Sequence, residues 1–197
     1  MISRLRGQLL SRDAEGVVEV ETAGGVVYEA EVPLTVLQRI PDPGSSIELR
    51  TLQVVRDDSV ALFGFLGTGE RELFRRLMVV KGVGPKLALK LLSAYAAPRL
   101  ARALAEKEVG ALQQVSGVGK KTAERLILEL WDKVGDLAME GPGGTGVSTP
   151  PIAQEAISAL VALGYSFADA DAVVRRVLEG GGTESAEELI RKALEWR

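Results

Sequence analysis

The chain has 197 residues, 46% hydrophobic and 26% charged, with a formal net charge of −3, an ordinary globular composition that leaves room for one large domain or two to three small ones. It contains no Cys and no His, which removes disulfides, thiolate zinc sites and imidazole acid–base chemistry, and with them most hydrolase and metalloenzyme readings. The apolar runs are too short for a bilayer and the first seven residues lack an apolar signal-peptide core, so a cytoplasmic protein with no membrane contact, metal or cofactor is expected.

Residues 1–65 read as five short strands, at 2–10, 16–22, 26–32, 47–55 and 59–65, separated by turn signals such as Ala23-Gly24-Gly25 and Arg56-Asp57-Asp58. A helical turn at 34–39 interrupts them. Five strands with one interposed helix suit a small closed barrel of the OB type, although periodicity alone does not separate that from another small β barrel. After Gly67-Thr68-Gly69 the apolar period changes from two to about 3.6. Helices are predicted at 70–80, 85–95, 98–105, 109–114 and 120–134, with Pro85 and Pro98 at first-turn positions. Residues 135–151 are rich in Gly and Pro and read as a flexible linker. Three short helices follow, at 152–163, 167–178 and 186–196, the last two introduced by the capping spacings Ser166-x-x-Asp169 and Ser185-x-x-Glu188. The fold class is therefore α+β and multi-domain: an OB-type barrel (1–65), an all-α region (66–134), a linker (135–151) and a three-helix domain (152–197).

Charge is unevenly spread over these parts. Residues 1–64 carry 6 Lys/Arg against 10 Asp/Glu, residues 71–134 carry 13 against 6, and residues 135–197 carry 5 against 10. The basic middle, at +7, is the electrostatic footprint of an anion-binding surface. It also contains an internal repeat. At an offset of 35 residues, Leu77, Val80, Gly82, Val83, Gly84, Lys86, Ala88 and Leu91 recur as Leu112, Val115, Gly117, Val118, Gly119, Lys121, Ala123 and Leu126. Each copy reads as a helix, an apolar residue, Gly-Val-Gly and a new helix opening with Lys, the pattern of a helix-hairpin-helix motif. The glycines permit a tight turn and a close approach, and free N–H groups at the second helix start favour an anion.

The middle Val is expected to be buried as the pin of each hairpin. Lys81, Lys86, Lys120 and Lys121 lie where a cation reaches a phosphate oxygen, and the DNA-binding set is completed by Gly82, Val83, Gly84, Gly117, Val118, Gly119, Thr122 and Arg125. A blander reading makes Gly-Val-Gly a mere helix cap, but two copies with matching flanks in a basic segment favour binding. Backbone amides read phosphates without regard to sequence, and two adjacent hairpins suit both strands of a duplex across the minor groove. Gly117-Val118-Gly119-Lys120-Lys121-Thr122 has the look of a phosphate-loop ending, but Lys121 separates Gly-Lys from Thr and position 114 is Gln instead of Gly. ATP hydrolysis is not expected.

Taken together, the order of parts resembles the RuvA family, the junction-recognition subunits of the bacterial branch-migration complex. The resemblance runs the whole length and rests on Met1-Ile2-x-x-Leu5-Arg6-Gly7, Val55-Arg56-Asp57-Asp58 with Leu62-Phe63-Gly64-Phe65, the two hairpins with their following helices, and Ala159-Leu160-Val161-Ala162-Leu163-Gly164-Tyr165. It implies a non-catalytic homotetramer that holds a four-way (Holliday) junction open. It also implies a hexameric RuvB-type ATPase motor met by the C-terminal domain, and adds a RuvC-type junction resolvase as a candidate partner. One tetramer or two on the DNA is left open. The family's acidic pin falls on Asp57 and Asp58; without the resemblance, two acids in a β turn read as a solvent-facing turn. Four subunits' carboxylates at the junction centre would repel phosphates at short range and disfavour ordinary duplex. Leu160, Leu163 and Tyr165 are candidates for motor binding, shared evenly between core and interface roles. Departures from the family pattern are small: Val27 where the family has Gly, Phe63 where Tyr is commoner, and Asp-Asp instead of Glu-Asp at the pin. The competing classes are a hairpin-bearing glycosylase or nuclease and a generic duplex-binding protein. The acids near the hairpins, Glu124, Glu129 and Asp132, do not form a catalytic or metal-binding cluster in the sequence.

Overall fold

Each of the first five strands has an apolar face, and closing them on themselves buries all of those faces at once. A computed structural model describes residues 1–56 and 59–139 and, beyond these, residues 155, 156, 159, 160, 163, 170, 173, 174, 176, 177 and 185–195. Its strands are β1 (Arg4–Arg12), β2 (Val17–Glu21), β3 (Val27–Glu31), β4 (Ser46–Val55) and β5 (Val60–Phe65). They form a closed barrel in the order β1-β2-β3-β5-β4. All pairs are antiparallel except β3 with β5, where Glu31 meets Phe63. The five-stranded barrel expected from the alternating pattern is thus present. A short helix, α1 (Leu34–Leu37), sits between β3 and β4.

Inside lie Leu5, Leu9, Val18, Val20, Ala30, Ile47, Leu49 and Leu62, closed at one end by Val36 and Ile40. The β5 run Leu62-Phe63-Gly64-Phe65 is apolar without alternation because both faces of that strand are covered. Leu62 faces the barrel core, whereas Phe63 and Phe65 pack on Phe74 of the next helix with ring centroids 4.9 and 5.1 Å apart. Phe63 therefore has no use for the hydroxyl of the commoner Tyr: it is buried among apolar side chains.

The helices are α2 (Thr68–Val79), α3 (Pro85–Ala94), α4 (Ala97–Ala105), α5 (Val109–Gln113) and α6 (Lys120–Leu130). The start of α2 is fixed by Glu70, whose carboxylate accepts the N–H groups of Leu66 (3.0 Å) and Gly67 (2.9 Å). Pro85 opens α3, where its missing N–H costs nothing. One helix is shorter than expected. The apolar rhythm of Leu126, Ile127 and Leu130 continues to Val134, which predicts a helix to 134; α6 instead ends at Leu130. Arg76 of α2 holds Asp136 through two bonds of 2.7 and 2.9 Å and also donates to the Lys133 carbonyl. The chain folds back there, so that Val134 and Leu137 both enter the helical core. A 3-10 turn, Leu137–Met139, follows. The Gly/Pro-rich stretch thus opens with packed residues, and its part from 140 to 151 lies outside the described residues.

Barrel and helices form one unit, Met1–Gly144. Thr35 of α1 donates its hydroxyl to the Leu92 carbonyl at 2.6 Å, Ser93 accepts the Leu34 N–H at 3.0 Å, and Arg39 pairs with Glu70. The first two bonds tie α3, and with it the first hairpin, to α1, and the third ties α2 to the segment after α1. In the second unit, Thr145–Arg197, the described residues within 152–163 and 167–178 include helical stretches, and a helix runs over Ala186–Glu195. Its start carries the expected cap, with Ser185 Oγ accepting the Glu188 N–H at 3.3 Å. Ser166 and Asp169 lie outside the described residues. No helix among the described residues is long and apolar enough to cross a membrane.

Candidate nucleic-acid interface

The two Gly-Val-Gly segments fold the same way because the same two constraints act on both. The chain must reverse between packed helices, and it does so through Gly82 at φ +90° and Gly117 at φ +96°, a region that a side chain makes costly. The reversal is then locked from within. Val83 donates its N–H to the Val80 carbonyl at 3.0 Å, and Val118 to Val115 at 2.9 Å. Both valine side chains are only 5% exposed, which stabilises each turn by about 1.5–3 kcal/mol. Val83 and Val118 are thus the expected pins. With side chain and N–H both engaged, neither presents a free donor outward.

The donors that face outward differ between the hairpins. In the first, the N–H groups of Gly84 and Lys86 make no hydrogen bond among the described residues. Pro85 has none to offer, and the Leu87 N–H already bonds the Gly84 carbonyl at 3.1 Å. In the second, Gly119, Lys120, Lys121 and Thr122 all leave their N–H groups unbonded among the described residues. The N-terminus of a helix of this kind attracts an anion through these donors and its dipole. Lys81, Lys86, Lys120, Lys121 and Arg125 are exposed and Thr122 is half-buried. Of these cations only Lys120 forms an ion pair, with Glu124 at 4.0 Å, among the described residues.

The structure also brings the hairpins together. Tyr95 Oη donates to the Ala111 carbonyl at 2.9 Å, and Arg99 holds Glu108 at 2.6 Å. The Arg99 hydrogen bond keeps the Glu108 carboxyl below its ordinary range. Arg125, on the second hairpin's helix, donates to the Lys81 carbonyl of the first at 3.2 Å. Leu87 of the first reaches Gly117 of the second, its Cδ1 3.3 Å from where a Cβ would stand. The two hairpins that carry the predicted site residues are therefore adjacent, with Val83 and Val118 buried and the lysines and Arg125 exposed.

Sequence reasoning missed Arg56. Its guanidinium Nη2 lies 3.9 Å from where a Cβ would stand on Gly84, so the barrel contributes a cation at the first hairpin. No repeat or spacing announces a contact between parts so far apart in the chain. Asp57 and Asp58, between Arg56 and Ser59, lie outside the described residues, as does Tyr165. Leu160 is 1% exposed and belongs to the interior of its own unit, which removes its side chain from a docking surface; Leu163 is 62% exposed. Among the described residues no group of three or more acidic side chains is placed to hold a metal ion.

Comparison with known proteins follows the same division. The profile of the RuvA N terminal domain matches residues 1–64, a SAM-like helix-hairpin-helix tandem matches 74–132, and the RuvA C-terminal domain matches 151–196. The Holliday junction branch migration complex subunit RuvA of Gemmatimonas aurantiaca is 44% identical, over 98% of this chain and 97% of its own. The chain belongs to the RuvA family. Relatives bearing the same description in Solibacter usitatus (42% identical, 99% of this chain and 98% of its own) and Pseudomonas putida (43%, 98% and 97%) agree. The tandem hairpin match, 74–132, brackets both glycine turns of the internal repeat.

Proposed function

We propose that this chain is the junction-binding subunit of a branch-migration complex, holding four-way DNA by its phosphates. The observation that carries this reading is the duplicated hairpin: two glycine turns with matching φ, each pinned by a buried valine and each opening a helix whose free N–H groups and lysines face outward. Lys81, Gly82, Gly84 and Lys86 form one clamp. Gly117, Gly119, Lys120, Lys121, Thr122 and Arg125 form the other. Paired clamps suit the two strands of one duplex arm, and four copies of the chain in a homotetramer suit four arms.

Asp57 and Asp58 then act by repulsion. Acids from each subunit near the junction centre disfavour continuous duplex, while the clamps attract every arm alike. The chain does no chemistry of its own. A RuvB-type hexameric ATPase supplies the motor and meets the C-terminal unit through Leu163, which is exposed, and Tyr165; a RuvC-type resolvase is a further partner, and the cytoplasm is the site of action. One gel-shift series tests the reading. A four-way junction is expected to bind far more tightly than linear duplex of equal length, and equal affinity for the two would overturn the junction assignment.

A further inference from the structure

Resting on that reading, we infer that Arg56 of the barrel is a phosphate-binding residue that completes the first hairpin's clamp. The two clamps are unequal in their own donors. The second offers four free N–H groups, at Gly119, Lys120, Lys121 and Thr122, whereas the first offers two, at Gly84 and Lys86, because Pro85 has no N–H and that of Leu87 is spent on Gly84. The second also opens with two consecutive lysines; the first has Lys86 alone.

Arg56 stands where this deficit lies. Its Nη2 is 3.9 Å from the position of a Cβ on Gly84, while a Cβ on the equivalent Gly119 would meet nothing within 4 Å. The barrel therefore supplies a cation to one clamp and not to the other. Its backbone is held in place, since the Arg56 N–H bonds the Ser59 carbonyl at 2.8 Å at the end of the β4–β5 ladder, beyond the pair Val55↔Val60. Its side chain is exposed and makes no ion pair among the described residues. Arg125 also reaches this hairpin, its Nη1 4.0 Å from where a Cβ would stand on Gly82.

Two guanidinium groups thus stand beside the glycines of the hairpin that carries Lys86, with no ion pair of their own among the described residues. Such a gathering is unfavourable until an anion joins it, and a guanidinium presents paired donors that match two phosphate oxygens. Arg56 also directly precedes Asp57 and Asp58 in the sequence. A strand held by it would be held at the barrel as well as at the helices.

The test compares salt dependence of four-way-junction binding for the full chain and for R56Q, R56K and the double variant K120A/K121A. Removing one phosphate contact lowers the slope of log K against log salt by about one for each subunit engaged, and R56Q is expected to do this while weakening binding about tenfold. R56K keeps the charge and is expected to keep the slope. An unchanged slope in R56Q, alongside a flattened slope in K120A/K121A, overturns the role of Arg56 and leaves the hairpin reading intact. Equal loss of slope in R56K and R56Q also overturns it, because it marks a structural effect on the turn. If neither R56Q nor K120A/K121A alters the slope, the hairpin reading falls first.

Discussion

The two hairpins share a backbone and differ in their surroundings. Both reverse through a glycine at positive φ and both bury a valine. Yet the first starts its helix with Pro85 and has arginines from two other parts of the chain beside its glycines, while the second starts with Lys120 and Lys121 and stands open at Gly119. The two copies thus share the turn, where geometry is demanding, and differ in their sources of positive charge, where a phosphate accepts any well-placed donor. Conformation is the strict requirement of this motif, and charge is fungible.

That comparison predicts its own order of effects. Largest is loss of the turn. Gly82→Ala or Gly117→Ala forces a side chain into the left-handed region and costs about 1–2 kcal/mol of stability, with junction affinity falling by more than tenfold in either variant. Thermal unfolding and gel shift read the two quantities, and wild-type values for both would show that these turns tolerate a Cβ. Next comes charge. Lys120→Ala with Lys121→Ala is expected to flatten the salt slope by about two per subunit, against about one for Lys86→Ala. Equal slopes for the two hairpins would erase their difference. Smaller in affinity, but sharper in selectivity, is Asp57→Asn with Asp58→Asn. Junction binding should persist while discrimination against linear duplex relaxes; loss of junction binding would make these acids structural.

The smallest effect concerns acid. Glu72 is held below its ordinary range by hydrogen bonding from Arg75 and then Arg76, and Glu108 by Arg99. Carboxylates lowered in the folded state stabilise it above their unfolded pKa, and that contribution is lost as pH falls through their folded values. These pairs are largely exposed, so the change is modest. Denaturation midpoints should fall on acidification below about pH 4.3, less in a variant with Arg99→Gln than in the parent chain. An identical pH profile would remove the Arg99–Glu108 bracket from the forces that hold the hairpins together.

Most of this architecture was legible in the residues because it rests on local rules. Alternation marked the strands, and a positive-φ requirement marked Gly82 and Gly117. The buried pins Val83 and Val118 followed from the repeat. What stayed hidden depends on distant contacts. The rhythm of α6 continues to Val134, and nothing nearby signals that Arg76 will capture Lys133 and Asp136 and end the helix at Leu130. Arg56 reads as the flank of an acidic turn until the barrel closes and lays it beside Gly84. Leu160 and Leu163 look alike in sequence, and only packing separates the buried one from the exposed one. Local conformation is written locally, whereas surface chemistry is assembled by the fold.

On the proposed reading the chain contacts phosphates and not bases. Ethylation interference on a four-way junction tests it most directly. Blocked phosphates on both strands of each arm are predicted to abolish binding, with methylation of guanine N7 in the major groove having no effect. Interference confined to bases, or no interference from phosphate ethylation, would contradict the account.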